Sequence, residues 1–232
     1  MMSDVIREQI DYYRARAGEY DEWFYRVGRY DRGEAHNARW FDEVEAVMTA
    51  LRGVGPVGRA LELAAGTGNF TQVLATMADV VVAVDASTEV MMINRQKLKQ
   101  AHVSYVQADL FTWEPEATYD LVFMSFWLSH VPPDKLDGFL SKVRRAMKAG
   151  GQVFMVDSLR DQSQTSSAVN HAAYDPESIY HTRKLNDGQH YRIVKVFYDA
   201  RLVETLARHG IQARYETSGD YFWWAQGTTA SF

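Results

Sequence analysis

Short apolar segments alternate with amphipathic stretches from residue 59 to residue 156, and this alternation constrains the fold more than any other feature of the chain. Runs at Arg59–Leu63, Val80–Val84, Val103–Gln107, Leu121–Met124 and Gln152–Val156 have the length of strands, and the segments between them carry apolar residues at helical spacing. A strand that follows a helix that follows a strand runs parallel to its predecessor, with helices covering both faces of the sheet. Two further strands are expected at Ile211–Tyr215 and Tyr221–Gln226, antiparallel because their connection is short. The expectation is a doubly wound α/β fold with a seven-stranded, mostly parallel sheet.

The helical segments read as Val5–Tyr25, Glu34–Leu51, a stretch with Phe70, Val73, Leu74 and Met77 on one face, one through Met91 and Leu98, one carrying Leu136, Phe139, Leu140, Val143 and Met147, and Asp199–His209. Gly150-Gly151 reads as the stop signal of the fifth. Residues 1–232 are expected as a single domain, with 1–52 as a helical cap and 158–198 as a lid. Within the lid, Ser158–Tyr180 is polar and irregular, and His181–Leu185 and Gln189–Tyr198 flank Asn186-Asp187-Gly188, a hairpin signal.

Composition removes several classes. The chain has no cysteine, which excludes disulfides, zinc-thiolate sites and thiol nucleophiles. A formal net charge of −5 argues against a mainly electrostatic nucleic-acid binder. No apolar run approaches the ~20 residues of a membrane span, and Met1–Asp11 has no signal-peptide core. A cytoplasmic protein without nucleic-acid or membrane partners is expected; monomer and homodimer fit equally.

The tips of the strands carry the chemistry. The first enters Glu62-Leu63-Ala64-Ala65-Gly66-Thr67-Gly68, where two glycines let the backbone turn tightly and approach a ligand. A dinucleotide fingerprint needs a third glycine where Thr71 stands. The second strand ends at Asp85-Ala86, whose carboxylate can accept from ribose hydroxyls or cap the next helix, though Ser87 is the better cap. The third ends at Asp109-Leu110, where a carboxylate and a backbone N–H can meet an adenine edge. The fourth leads into Ser125-Phe126-Trp127, whose carbonyls can receive an ammonium group.

An acid and glycines after strand one, followed by acids after strands two and three, resembles the class I S-adenosylmethionine-dependent methyltransferases over nearly the whole chain. Ala64 departs from that pattern, which often has glycine there. The resemblance implies S-adenosylmethionine as cofactor, S-adenosylhomocysteine as its product, and no metal. It also implies that the helix with Tyr13, Ala17 and Tyr20 on one face covers the methionine end, with Arg16 near the cofactor carboxylate; a helix merely packed on the domain is the alternative.

More narrowly, Tyr12–Asp21, Leu61–Gly68, Trp127–Pro132 and Asp187–Phe197 are similar to phosphonate O-methyltransferases of the dehydrophos type. This implies a small anionic acceptor, phosphonate- or carboxylate-like, held by Arg183 and Lys195. Independently, a three-residue hairpin loop pairs Arg183 with Tyr191 and puts Arg183, Tyr191, Ile193 and Lys195 on one face, with Lys195 ~13 Å along the strand from Tyr191. A two-residue loop would set Arg183 opposite Arg192 instead. Either register offers two cations to an anion, or a solvated basic face. Tyr25 and Tyr30 are further candidates for the acceptor pocket.

His130, four residues after Phe126, could share a helical face with it and act as general base, as donor to the acceptor, or as a structural histidine. An ionised oxygen needs no strong base; a phenol or amine would. Rival readings are a small-molecule N-methyltransferase, a cofactor-binding protein without catalysis, and a short-chain dehydrogenase. The last rests on Tyr191-x-x-x-Lys195 with Ser178 upstream, but Arg192-Ile193-Val194 favours strand over the required helix.

Overall fold

The computed structural model describes residues 4–99, 101–160 and 178–229; residues 161–177, most of the polar stretch expected between Ser158 and Tyr180, lie outside them. Seven strands form one sheet: β1 (Val57–Leu63), β2 (Ala78–Asp85), β3 (Val103–Gln107), β4 (Tyr119–Ser125), β5 (Met147–Ser158), β8 (Ile211–Thr217) and β9 (Phe222–Thr229). Their order is β3-β2-β1-β4-β5-β9-β8, with β9 alone antiparallel to its neighbours. The order reverses between β1 and β4, so the connections leaving their carboxyl ends diverge and open a crevice there.

The period-2 alternation of the strands builds two cores, one on each face of the sheet. Phe123 and Phe154 face Trp40 and Leu51 of α3 (Glu34–Arg52) and Leu74 of α4 (Thr71–Met77). Met124 and Met155 face Leu140 and Val143 of α6 (Pro133–Ala146) and Leu206 of α7 (Leu202–Arg208). Central strands buried on both faces read as the nearly continuous apolar runs seen in the sequence. Between β2 and β3 runs α5 (Thr88–Leu98), capped by the Ser87 hydroxyl, which accepts from the Val90 N–H at 3.3 Å.

Two local expectations are corrected. The N-terminal segment is two helices, α1 (Asp4–Ala15) and α2 (Tyr20–Phe24), separated by a turn through Gly18 that closes on the Arg16 carbonyl. Gly150-Gly151 does not end α6, which stops at Ala146 and runs directly into β5. The pair lies inside β5, where the register against β4 shifts; Gly150 has φ +70°, and a Cβ on Gly151 would sit 2.9 Å from the Lys148 carbonyl oxygen.

Strands β6 (Tyr180–Lys184) and β7 (His190–Val194) form a separate antiparallel hairpin. Gly188 at φ +90° donates to the Leu185 carbonyl and Leu185 donates to that of Gln189, so the loop has three residues and Arg183 pairs with Tyr191. The hairpin and the N-terminal helices form one cap. Glu8 accepts from the backbone and side chain of Arg192, Gln9 bridges Val194 N–H and the His130 carbonyl, and Asn186 donates to Glu19 and Glu22. Among the described residues no helix is long and apolar enough to cross a membrane.

Candidate active site

The crevice at the switch point is a cleft of about 710 Å³ walled by Ala64, Gly66, Asp85, Ala86, Asp109, Leu110, Ser125 and Phe126 from the sheet side. Its concave shape and few convergent polar groups suit a small ligand. A side pocket of about 260 Å³ continues it past Thr67 and Asn69 toward Phe24 and Phe70.

Backbone conformation at the first turn follows from its residues. Ala64, Gly66 and Gly68 all have positive φ, at +58°, +54° and +90°. Gly68 is required by packing as well, because a Cβ there would lie 2.6 Å from the Asn94 side chain. Fully buried Asn94 braces the turn from below, donating to the Gly66 carbonyl and the Thr71 hydroxyl while accepting from the Tyr105 hydroxyl. Ala64 bears a left-handed conformation that costs a side-chain residue ~1–2 kcal/mol. Phe126, at φ +51° after β4, does the same, and both line the cleft, as strained residues at ligand sites commonly do.

The acids are pre-oriented. Asp85 accepts from Gly66 N–H and Ser87 N–H, each at 2.9 Å, leaving a lone pair on each oxygen for a ligand. Burial raises its pKa, and those N–H groups oppose the rise. Asp109 accepts from the Phe111 N–H at 2.9 Å, and its loop is clamped from behind by Lys142, whose ammonium donates to the Leu110 and Phe111 carbonyls at 2.8 and 3.2 Å. Glu62 is not at the cleft wall. It is buried beneath the glycine turn with both oxygens lacking a hydrogen-bond partner, and burial pushes its pKa up to about 8, against the nearby Thr71 hydroxyl.

The cap closes the cleft with Gln9, Ile10, Tyr13 and Tyr20. Arg16 is nine-tenths buried between the rings of Tyr12 and Tyr20, reaches the Tyr30 hydroxyl at 3.4 Å, and leaves Nε without a partner. Arg183 comes from the hairpin into electrostatic reach of Tyr12, Tyr13, Arg16 and Tyr30. Burial lowers its pKa, the signature of a desolvated cation, and it forms no ion pair among the described residues.

His130 and Lys195 occupy the seam between the cleft and Arg183. The Leu128–His130 segment is a 3-10 turn, so Phe126 and His130 do not share an α-helical face, yet both line the cleft. The ring meets the Val194 carbonyl through Nδ1 and the Tyr13 hydroxyl through Nε2, both at 2.6 Å. Burial, reinforced by the Lys195 charge, lowers its pKa to about 3. A neutral ring whose lone pair is already engaged reaches an acceptor proton only through Tyr13. The Lys195 ammonium is also engaged, donating to Ser129 Oγ at 2.8 Å and Asp157 Oδ1 at 2.9 Å. Burial pushes Asp157 up, but Lys195, His130 and the Ser158 N–H outweigh it and hold the carboxyl below its ordinary value.

Other candidates are placed elsewhere. Arg192 points to the opposite face of the hairpin, as alternation requires, and pairs with Glu8. Tyr191 shares the Arg183 face but turns its hydroxyl onto Gln189, and with Tyr191 on β7 and Lys195 just past its end the pair lacks the helical geometry of a dehydrogenase. Tyr25 sits over the glycine turn, donating to Asn69, away from the hairpin. Thr67 donates to Asp21 Oδ1, whose other oxygen holds Lys97, latching α2 to the turn. Sequence reasoning missed Gln9, Val90, Asn94, Lys142 and Asp157, and read Ser87 only as a helix cap. Gln9 lies one helical turn before Tyr13, and Asp157 ends β5 as Asp85 ends β2; those two signals were readable. No group of three or more metal-ligating side chains is assembled among the described residues.

Residues 60–151 match the methyltransferase domain family. A Bacillus cereus protein described as an uncharacterized methyltransferase is 25% identical over 180 residues, spanning 72% of this chain and 82% of its own. The structure of DhpI in complex with SAH superposes with a TM-score of 0.79 at 32% identity over 99% of both chains. DhpI with SAM and HEP gives 0.79 at 34% over 98% of this chain and 99% of its own. The N-methyltransferase NodS from Bradyrhizobium japonicum WM9, in complex with S-adenosyl-l-homocysteine, shares the fold at a TM-score of 0.64 and 14% identity, over 96% of this chain and 98% of its own. Such full-length likeness, on a sheet that opens its crevice beside the glycine turn, establishes that this chain belongs to the class I S-adenosylmethionine-dependent methyltransferases and stands close to DhpI.

Proposed function

We propose that this enzyme methylates an oxygen of a small anionic acceptor, phosphonate- or carboxylate-like. The observation that carries this reading is Arg183, a half-buried guanidinium without an ion-pair partner among the described residues, set among Tyr12, Tyr13 and Tyr30. A partly desolvated cation in that state is stabilised by an incoming anion. That DhpI has been seen with SAM and HEP together supports a second small ligand beside the cofactor in this fold.

When bound, S-adenosylmethionine supplies a methyl group on a positively charged sulfur, open to displacement by an acceptor lone pair. On this reading Asp85 receives the ribose hydroxyls, and Asp109 with the Leu110 N–H receives the adenine edge. The turn from Ala64 to Gly68, with the carbonyls of Ser125 and Phe126, holds the methionine end. Orphaned Glu62 beneath that turn and the free lone pairs on Asp85 fit a polar nucleoside. Arg183 orients the acceptor through its non-reacting oxygens, so the attacking oxygen keeps its nucleophilicity. An acceptor already ionised near neutral pH needs no free base, in keeping with a His130 whose lone pair is engaged. The cap excludes water.

A transfer assay with labelled S-adenosylmethionine and matched phosphonate, carboxylate, phenol and amine acceptors tests the reading. Anionic acceptors should be preferred, and Arg183→Ala should raise their KM by roughly 10- to 100-fold, the loss expected of a charged hydrogen bond. Preference for an amine, or kinetics indifferent to Arg183, overturns it.

A further inference from the structure

The seam between the cleft and the hairpin contains a chain of hydrogen bonds in which every proton can be assigned. The Val194 carbonyl can only accept, so His130 Nδ1, 2.6 Å away, carries a hydrogen. A ring this deeply buried beside Lys195 is neutral and holds a single ring proton, so Nε2 is a bare lone pair. The Tyr13 hydroxyl, 2.6 Å from Nε2, must then donate its one proton to His130. Tyr13 itself is half-buried, and its desolvation raises its pKa and keeps the phenol intact. What remains free on that hydroxyl is a pair of oxygen lone pairs.

Tyr13 lines the same cleft as Ala64, Gly66, Ser125 and Phe126, and it lies within the field of Arg183. It therefore faces the cofactor cleft and feels the charge of the hairpin guanidinium as well. We propose that Tyr13 turns an acceptor-only oxygen toward the methyl-bearing sulfonium of the cofactor, with His130 as the positioning residue that dictates that direction. An oxygen that can only accept is attracted to a positive centre and to polarised C–H bonds, and gains nothing from a neutral thioether. The pair thus makes the cap favour the charged cofactor over its demethylated product. This inference rests on the cleft being the S-adenosylmethionine site.

Calorimetry of S-adenosylmethionine and S-adenosylhomocysteine binding to the wild-type enzyme, Tyr13→Phe and His130→Phe tests it. Tyr13→Phe should weaken S-adenosylmethionine about three- to fivefold while changing S-adenosylhomocysteine less than about twofold. His130→Phe should lower the same selectivity with Tyr13 still present, because the released hydroxyl can turn its proton into the cleft. Nitrogen-15 NMR of the wild-type ring should show Nδ1 protonated and Nε2 bare from pH 5.5 to 8.5. Equal weakening of both ligands, unchanged selectivity in Tyr13→Phe, or a protonated Nε2 overturns the proposal while leaving the cofactor site intact. A wild-type protein that binds neither nucleoside overturns both.

Discussion

The ammonium of Lys195 stands 2.9 Å from Oδ1 of Asp157, a fully buried carboxylate at the end of β5. Ser129 completes the group, its hydroxyl accepting from Lys195 and its N–H donating to Asp157 Oδ2. The Lys195 charge is thus already neutralised, whereas Arg183 brings a charge that no carboxylate among the described residues pairs. Removing one member of such a pair strands the other. Asp157→Asn should lower unfolding free energy by ~3–5 kcal/mol, and Asp157→Leu combined with Lys195→Met should recover most of that loss. Urea denaturation of the two variants beside the wild type measures both values. The lowered pKa of Asp157 means this contribution is present above the unfolded carboxyl value and fades as pH falls through the folded one.

Lys142 does not itself line the cleft, yet it holds the carbonyls of Leu110, which does, and of Phe111. Lys142→Met keeps the stem and removes the clamp. Affinity for S-adenosylhomocysteine should fall by roughly tenfold, with acceptor KM unchanged, as read by calorimetry and steady-state kinetics. Equal loss on both sides would place Lys142 in general stability instead.

Asp85 is held open by two backbone N–H groups and needs no rearrangement to receive a diol. Asp85→Ala should weaken cofactor binding by roughly 10- to 100-fold in a direct titration. Unchanged affinity would remove the ribose assignment from β2.

Glu62 gives a pH signature. With a folded pKa near 8 against an ordinary 4.5, the folded protein holds a proton across that window which the unfolded chain has lost. Stability of the ligand-free enzyme should therefore fall as pH rises from 4.5 to 8, by up to about 1.4 kcal/mol per pH unit from this group. Glu62→Gln should flatten the profile, which thermal denaturation at pH 5 and pH 8 would reveal.

The sheet, the glycine turn and the strand-end acids were legible because each depends on a local rule. Period 2 marks strands, period 3.6 marks helices, and a residue that ends a parallel strand faces the crevice wherever the strand lies. Asn186-Asp187-Gly188 marks the hairpin but leaves two registers open, and the folded chain adopts the one with a three-residue loop. Gly150-Gly151 misled because the same residues that end helices also accommodate irregular strand pairing.

Which side chain meets which across the fold had no local signal. Tyr13 and His130 are 117 positions apart, and Lys195 and Asp157 are 38 apart. Alternation placed Lys195 on the Arg183 face and said nothing of the acid waiting at the end of β5. The local pattern of the chain determined a methyltransferase sheet and the tips that bear its chemistry. Only tertiary packing, by burying these groups together, decided which charges are cancelled and which proton faces which lone pair.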